Sequence, residues 1–198
     1  LVDSLDDITA SLNHVLAARD LPTHSRETVE GFVGEGARIL VERALPPGVD
    51  VDAVLAEFRA RYAAHLTDHT RAYDGVRELL AELARREVPT AVLSNKPHDM
   101  TVGVVAALFE GHAFVRVLGQ RDGVPRKPDP ASALELGAAL EPPVAFVGDT
   151  PVDVATARAA GMTAIAVAWG MRDVALLREA GAEVVLERPA DLLAHLAR

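Results

Sequence analysis

Cysteine is absent from the 198 residues, which excludes disulfides, thiolate catalysis and Cys-ligated zinc. A basic surplus is absent too. Twenty Lys+Arg stand against 29 Asp+Glu, a formal net charge of -9 at pH 7, and no local basic patch offsets that field, so no nucleic-acid partner is expected. No apolar run approaches the length of a bilayer span, and the first residues carry neither the basic flank nor the apolar segment of a signal peptide. A cytoplasmic protein with no membrane partner is the default expectation. Internal repeats and low-complexity segments are also missing. What is present is a 49% hydrophobic fraction, usual for a globular protein, in a length that suits one sizeable core, or a core plus a small accessory domain.

The first third reads as helix after helix. Leu1-Val2-Asp3-Ser4 looks like the start of one, since Ile8, Leu12, Val15 and Leu16 fall on one face and Pro22 stops the pattern. Ser25 marks a second start, Gly31, Gly34 and Gly36 interrupt, Pro46-Pro47-Gly48 turns, and Val54, Leu55, Phe58 and Tyr62 make a further amphipathic helix over residues 51–66. No strand is expected before Tyr73. Beyond Tyr73-Asp74-Gly75 the pattern alternates. Strands are expected at 90–93, 114–118, 143–147, 164–167 and 184–186, and helices at 76–86, 100–108, 131–140, 152–160 and 174–180. Such alternation calls for an α/β fold with a parallel sheet covered on both faces.

In such a sheet the chemistry gathers at the carboxyl ends of the strands. Those ends read Ser94-Asn95-Lys96-Pro97, then a loop with Arg126-Lys127-Pro128-Asp129-Pro130, then Gly148-Asp149-Thr150-Pro151-Val152-Asp153. A hydroxyl, an ammonium and a carboxylate in one crevice are what holding a phosphoryl group beside a metal requires. Asp149 at the mouth of an apolar strand needs a cation to meet it. Asp153 has two readings, as the acid at the third position of a helix opened by Thr150 and Pro151, or as a second carboxylate for a hard cation. Ser94 and Asn95 either cap the next helix or open an anion cradle. Lys127 is either a solvated surface group or part of the site.

The order Ser94, Lys127, Asp149, Asp153 on successive strand ends resembles the haloacid dehalogenase superfamily of phosphotransferases, in particular its phosphoglycolate-phosphatase group. Val33-Gly34-Glu35-Gly36 is similar to the glycine-containing loop of that family's helical cap, Tyr73-Asp74-Gly75-Val76 to the return into its core, and Trp169-Gly170 and Ala180-Gly181-Ala182 to its C-terminal part. The resemblance implies a Rossmann-like parallel-sheet core (residues 1–8 and 73–198) with an inserted all-helical cap domain (9–72). It implies Mg²⁺ on Asp149, assisted by Asp153 through a water or by pairing with Lys127. Ser94 and Asn95 would hold the phosphoryl group and Lys127 would neutralise it, with Ser94 and Lys127 as the catalytic residues present. Gly34, Gly36 and Arg38 are the candidate substrate contacts of the cap. Gly34 and Gly36 equally suit a helix–helix turn, and Arg38 equally suits a surface ion pair.

The implied activity is a Mg²⁺-dependent phosphatase working through an aspartyl-phosphate on a small phosphorylated metabolite, 2-phosphoglycolate first, in a monomer or homodimer. The family's first motif, Asp-x-Asp-Gly-Thr, supplies the nucleophile and is followed in relatives by Leu-Val-Asp-Ser, the tetrapeptide found here at Leu1 to Ser4. A central strand carrying that motif, about ten residues upstream of Leu1, is therefore expected, because a sheet lacking its middle strand would leave backbone groups unpaired. Asp3, Asp6 and Asp7 suit a helix N-terminus rather than a nucleophile. The rival readings are a non-catalytic phosphate-binding or scaffold protein, a sugar-phosphate mutase of the same superfamily, and a signalling receiver domain, whose acids precede its Lys instead of following it.

Overall fold

The computed structural model describes residues 1–140 and 142–196. Residues 141, 197 and 198, which the expected core span includes, lie outside these.

The chain opens on a two-residue strand, β1 (Val2–Asp3), and not on the expected helix. Helices α1 (Leu5–Ala17), α2 (Arg26–Phe32), α3 (Ala37–Ala44) and α4 (Val51–Ala64) follow. Ser25 caps α2 by accepting the Thr28 N–H, and Asp50 caps α4 by accepting from Asp52 and Ala53. The helical spacing of Leu5, Ile8, Leu12, Val15 and Leu16 on α1 becomes a buried stripe, which joins Val29, Leu40, Val41, Val54, Leu55, Phe58 and Tyr62 in one apolar cluster. Met100, from the other part of the chain, completes the cluster. The helical block is thus seated on its neighbour through apolar contact.

The expectation of no strand before Tyr73 is corrected here. Strand β2 (Arg71–Ala72) pairs antiparallel with β1, placing Val2 opposite Ala72. Two residues per strand are too few for an alternating pattern to show in sequence. The pairing brings the two stems of the helical block together, and Asp7 fastens them. Its buried carboxylate accepts from the backbone N–H groups of His69 (2.9 Å) and Thr70 (2.8 Å) and from the Thr70 hydroxyl (2.6 Å). Asp7 lies in the first turn of α1, as expected, and is at the same time a structural anchor.

The remainder alternates as expected: α5 (Val76–Arg85), β3 (Ala91–Pro97), α6 (His98–Leu108), β4 (Arg116–Gln120), α7 (Ala131–Leu140), β5 (Ala145–Gly148), α8 (Pro151–Ala159), β6 (Thr163–Val167), α9 (Val174–Glu179), β7 (Val184–Leu186) and α10 (Pro189–Leu196). Helix α10 was not expected; it opens on a proline and buries Leu192 against Leu79, Leu83 and Ile165. Strand β3 runs past Leu93 through Ser94, Asn95 and Lys96, with an irregular register beyond Leu93. These three residues therefore stay extended, and Pro97 occupies the N-cap position of α6.

All pairings after β2 are parallel, in two pieces, β3-β4 and β5-β6-β7. Between the pieces lies a cavity of about 580 Å³, lined by Thr90 to Pro97 on one side and Pro143 to Asp149 on the other. Among the described residues no strand pairs with the facing edges of β3 and β5. The side chains there are correspondingly uncovered. Val147, at the centre of an apolar strand, is 41% exposed, although parallel strands are ordinarily buried on both faces. No described helix is long and apolar enough to cross a membrane.

Removal of the buried Asp7 acceptor strands three donors at the stem. Asp7→Ala is expected to lower unfolding free energy by about 3 kcal/mol in urea titrations, and a loss under about 1 kcal/mol would contradict the anchoring role.

Candidate active site

Four strand ends and loops supply the groups that meet at the cavity. Strand β5 delivers Asp149, and α8 begins one residue later with Thr150 as N-cap and Pro151 in its first turn. The Thr150 side chain accepts from Asp153 N, while Asp153 Oδ2 accepts from Thr150 N (3.1 Å), Thr150 Oγ1 (2.8 Å) and Asp149 N (3.2 Å). This is the capping box that the local pattern allowed. Asp153 also makes the pairing with Lys127 that the resemblance implied. Its Oδ1 accepts from Lys127 Nζ at 2.6 Å, with only 11% and 7% of the Lys127 and Asp153 side chains exposed. Burial opposes ionisation of Asp153, yet the Lys127 ammonium and the Thr150 donors outweigh it and hold the carboxyl below its usual range.

Lys127 is held at both ends. Its backbone N–H donates to Asn95 Oδ1 (3.0 Å), its carbonyl accepts from Asn95 Nδ2 (3.1 Å), and Nζ also lies 3.4 Å from Leu93 O. Asn95 Nδ2 reaches Gly34 O as well, at 3.1 Å. The Asn95 side chain, expected at a phosphate, is thereby committed to bracketing the Lys127 loop and to touching the glycine loop of the helical block. Ser94 Oγ accepts from Lys96 N (3.1 Å), leaving its O–H proton to donate into the cavity that Ser94, Lys127 and Asp149 share.

Asp149 Oδ2 accepts from Met171 N at 2.8 Å, and no described donor engages Oδ1. A Cβ on Gly170 would stand inside the Asp149 carboxylate, and one on Gly148 inside the Asp153 side chain. Glycine at these two positions is what lets the two acids pack so close to the backbone. Of the two expected metal ligands, Asp149 keeps one oxygen without a donor among the described residues, whereas Asp153 accepts from Lys127 on one oxygen and from Thr150 and the Asp149 backbone on the other. Among the described residues no group of three His, Asp or Glu side chains converges. One protein carboxylate with waters and phosphate oxygens fits Mg²⁺, which keeps much of its hydration.

From the helical block, Gly34 and Gly36 reach the cavity with φ of 129° and 94°, the left-handed side on which glycine is unstrained. Arg38 does not. It is 42% exposed and pairs with Asp52 and with Glu42 on the outer face. Two arginines without a role in the sequence reading clasp the same loop from the core side. Arg126 Nη1 donates to Glu35 O (2.8 Å), and Arg172 donates to Glu30 O (2.9 Å) and Val33 O (2.6 Å), meeting carbonyls at the end of α2. Trp169 lines the cavity. Lys96 also lines it and contacts Tyr62 and Ser4. The position of Arg126 beside Lys127 was a legible hint; nothing local marked Arg172.

Comparison with known proteins shows the family and the fold. A family model described as haloacid dehalogenase-like hydrolase matches residues 1–167. Phosphoglycolate phosphatase of Pectobacterium atrosepticum is 32% identical, covering 98% of this chain and 86% of its own. Phosphoglycolate phosphatase 1 of Pseudomonas aeruginosa is 35% identical, covering 98% and 75%. A crystal structure from Lactobacillus delbrueckii subsp. bulgaricus superposes with a TM-score of 0.90 at 29% identity, over 98% of this chain and 93% of that one.

Because Lys127 and Asp153 neutralise each other in a dry position, removing either strands the other's charge. Lys127→Met and Asp153→Asn are each expected to cost about 3 kcal/mol in urea unfolding, and the double variant clearly less than the sum. Additive costs would contradict a mutually dependent pair.

Proposed function

Since the chain belongs to the haloacid dehalogenase-like hydrolase family, we propose that it is a Mg²⁺-dependent phosphatase acting on a small phosphorylated metabolite, with 2-phosphoglycolate as first choice. One observation carries the reading: Ser94, Lys127 and Asp149, from three separate strand ends, line one cavity with Asp153 fixed behind Lys127. Phosphoryl transfer asks an enzyme for positioning and charge neutralisation, and these groups supply both.

In this reading the Ser94 hydroxyl donates to a non-bridging phosphoryl oxygen and the Lys127 ammonium neutralises the charge that spreads over the equatorial oxygens. Asp153 keeps Lys127 charged and aimed, and Asn95 fixes the loop that carries it. Asp149 Oδ1 would hold Mg²⁺, which supplies further charge neutralisation on the phosphoryl group. The aspartyl-phosphate implied by the resemblance needs a nucleophilic carboxylate facing these groups. The helical block, clasped by Arg126 and Arg172, serves as the cap that excludes water and faces the leaving group. The free Asp149 oxygen and the dry Lys127–Asp153 pair favour catalysis over passive phosphate binding.

The test is phosphate release by the full-length gene product from a panel of phosphorylated metabolites, with and without Mg²⁺. Release that depends on Mg²⁺ and is fastest with 2-phosphoglycolate is expected, and Lys127→Ala and Asp149→Ala should each lower kcat/KM by about 100-fold or more. Metal-independent release, or an unaffected Asp149→Ala, would contradict the assignment.

A further inference from the structure

The cations among the residues lining the cavity are Lys127 and Lys96. They differ in one respect. Lys127 has Asp153 as its counter-ion. Among the described residues Lys96 Nζ meets neutral groups, the Ser4 hydroxyl at 3.3 Å and the Tyr62 hydroxyl, and it lies 4.6 Å from the centre of the Tyr62 ring. Asp7 is the acid whose charge reaches it, but both Asp7 oxygens are committed to His69 and Thr70. A partly enclosed ammonium without an anion is costly. Burial accordingly pulls the Lys96 pKa down to about 8, with Asp7 opposing the shift.

Its position makes that cost informative. Lys96 stands two residues beyond Ser94 on the same extended strand and lines the same cavity. The helical block lines this cavity with Gly34, Gly36, Ala37, Leu40, Phe58 and Tyr62 among others, none of which carries a charged side chain. A ligand whose phosphoryl group rests on Ser94 and Lys127 therefore has one charged partner left for its other end. We infer that the Lys96 ammonium pairs with a carboxylate at the non-phosphoryl end of the substrate, and so selects short phosphorylated acids over neutral phosphate esters. Tyr62 and Ser4 hold the ammonium in place for that contact, drawing on α4 and on the β1 stem. This assignment rests on the phosphate site proposed above. It gives the specificity role that Arg38 was expected to fill to a residue on the core strand.

The test compares binding of 2-phosphoglycolate and ethyl phosphate, which carries a methyl group where the acid carries its carboxylate. Calorimetric titration of the full-length gene product without Mg²⁺ keeps turnover out of the measurement. A charge-assisted contact predicts a preference for 2-phosphoglycolate of about 10- to 100-fold. Lys96→Met should bring the two esters to nearly equal affinity without weakening ethyl phosphate, and Lys96→Arg should retain part of the preference. Equal binding by the unmodified protein overturns the assignment, as does a Lys96→Met variant that keeps the preference or weakens both esters alike. Binding of neither ester overturns the phosphate site together with it. Should Lys96→Met fail to fold, amine acylation of the unmodified protein read by peptide mass spectrometry decides the matter. Protection of Lys96 by 2-phosphoglycolate and not by ethyl phosphate supports the pairing, and equal labelling refutes it.

Discussion

The ion pair between Lys127 and Asp153 is the contact on which the rest of the site depends. Two opposite charges in a nearly dry position stabilise each other only if their remaining hydrogen-bonding capacity is met. Here it is. Thr150 and the Asp149 backbone occupy the second Asp153 oxygen, and Asn95 brackets the Lys127 backbone. The pair thereby sets the angle at which α8 leaves β5, and with it the direction of Asp149. Gly148 is small because the Asp153 side chain lies against it, and Gly170 because Asp149 does. The same Asn95 that positions Lys127 also touches Gly34 O, so this amide joins the Arg126 and Arg172 contacts in linking the charged centre to the helical block.

Much of this was legible in the residues themselves. The apolar strands and the amphipathic helices carry strong periods, and the core strands from β3 onward were expected close to where they lie. Asp153 was expected to cap a helix, to serve a metal site or to pair with Lys127, and its carboxylate caps α8 with one oxygen and pairs with Lys127 through the other. What stayed hidden has physical reasons. Strands β1 and β2 are two residues long, below the length at which alternation is a signal. Ser94 and Asn95 were expected either to cap a helix or to open an anion cradle, but they lie within β3 and Pro97 takes the N-cap position of α6. Arg38 had the right chemistry for a substrate anion, yet Asp52 and Glu42 lie nearer. Arg172 reaches its carbonyls across more than a hundred residues of chain, which no local pattern reports.

The two pieces of sheet and the clasped glycine loop border one cavity. Asp149 and the Lys127–Asp153 pair form one wall, Ser94 and Lys96 on β3 another, and the helical block with its glycines the roof. Charge is unevenly distributed among these walls. The acidic groups and Lys127 gather at one end, and Lys96 stands apart among apolar and neutral side chains. In the proposed function that asymmetry separates the end of the substrate that reacts from the end that is recognised.

The central claim is that Ser94 and Lys127 cradle a phosphoryl group. Crystals soaked in tungstate, a tetrahedral dianion of phosphate shape with a strong anomalous signal, test it most directly. The account predicts one anomalous peak in the cavity, in contact with Ser94 Oγ and Lys127 Nζ and next to Asp149. A saturated soak that leaves this position empty, or that orders tungstate only elsewhere on the protein, would contradict it.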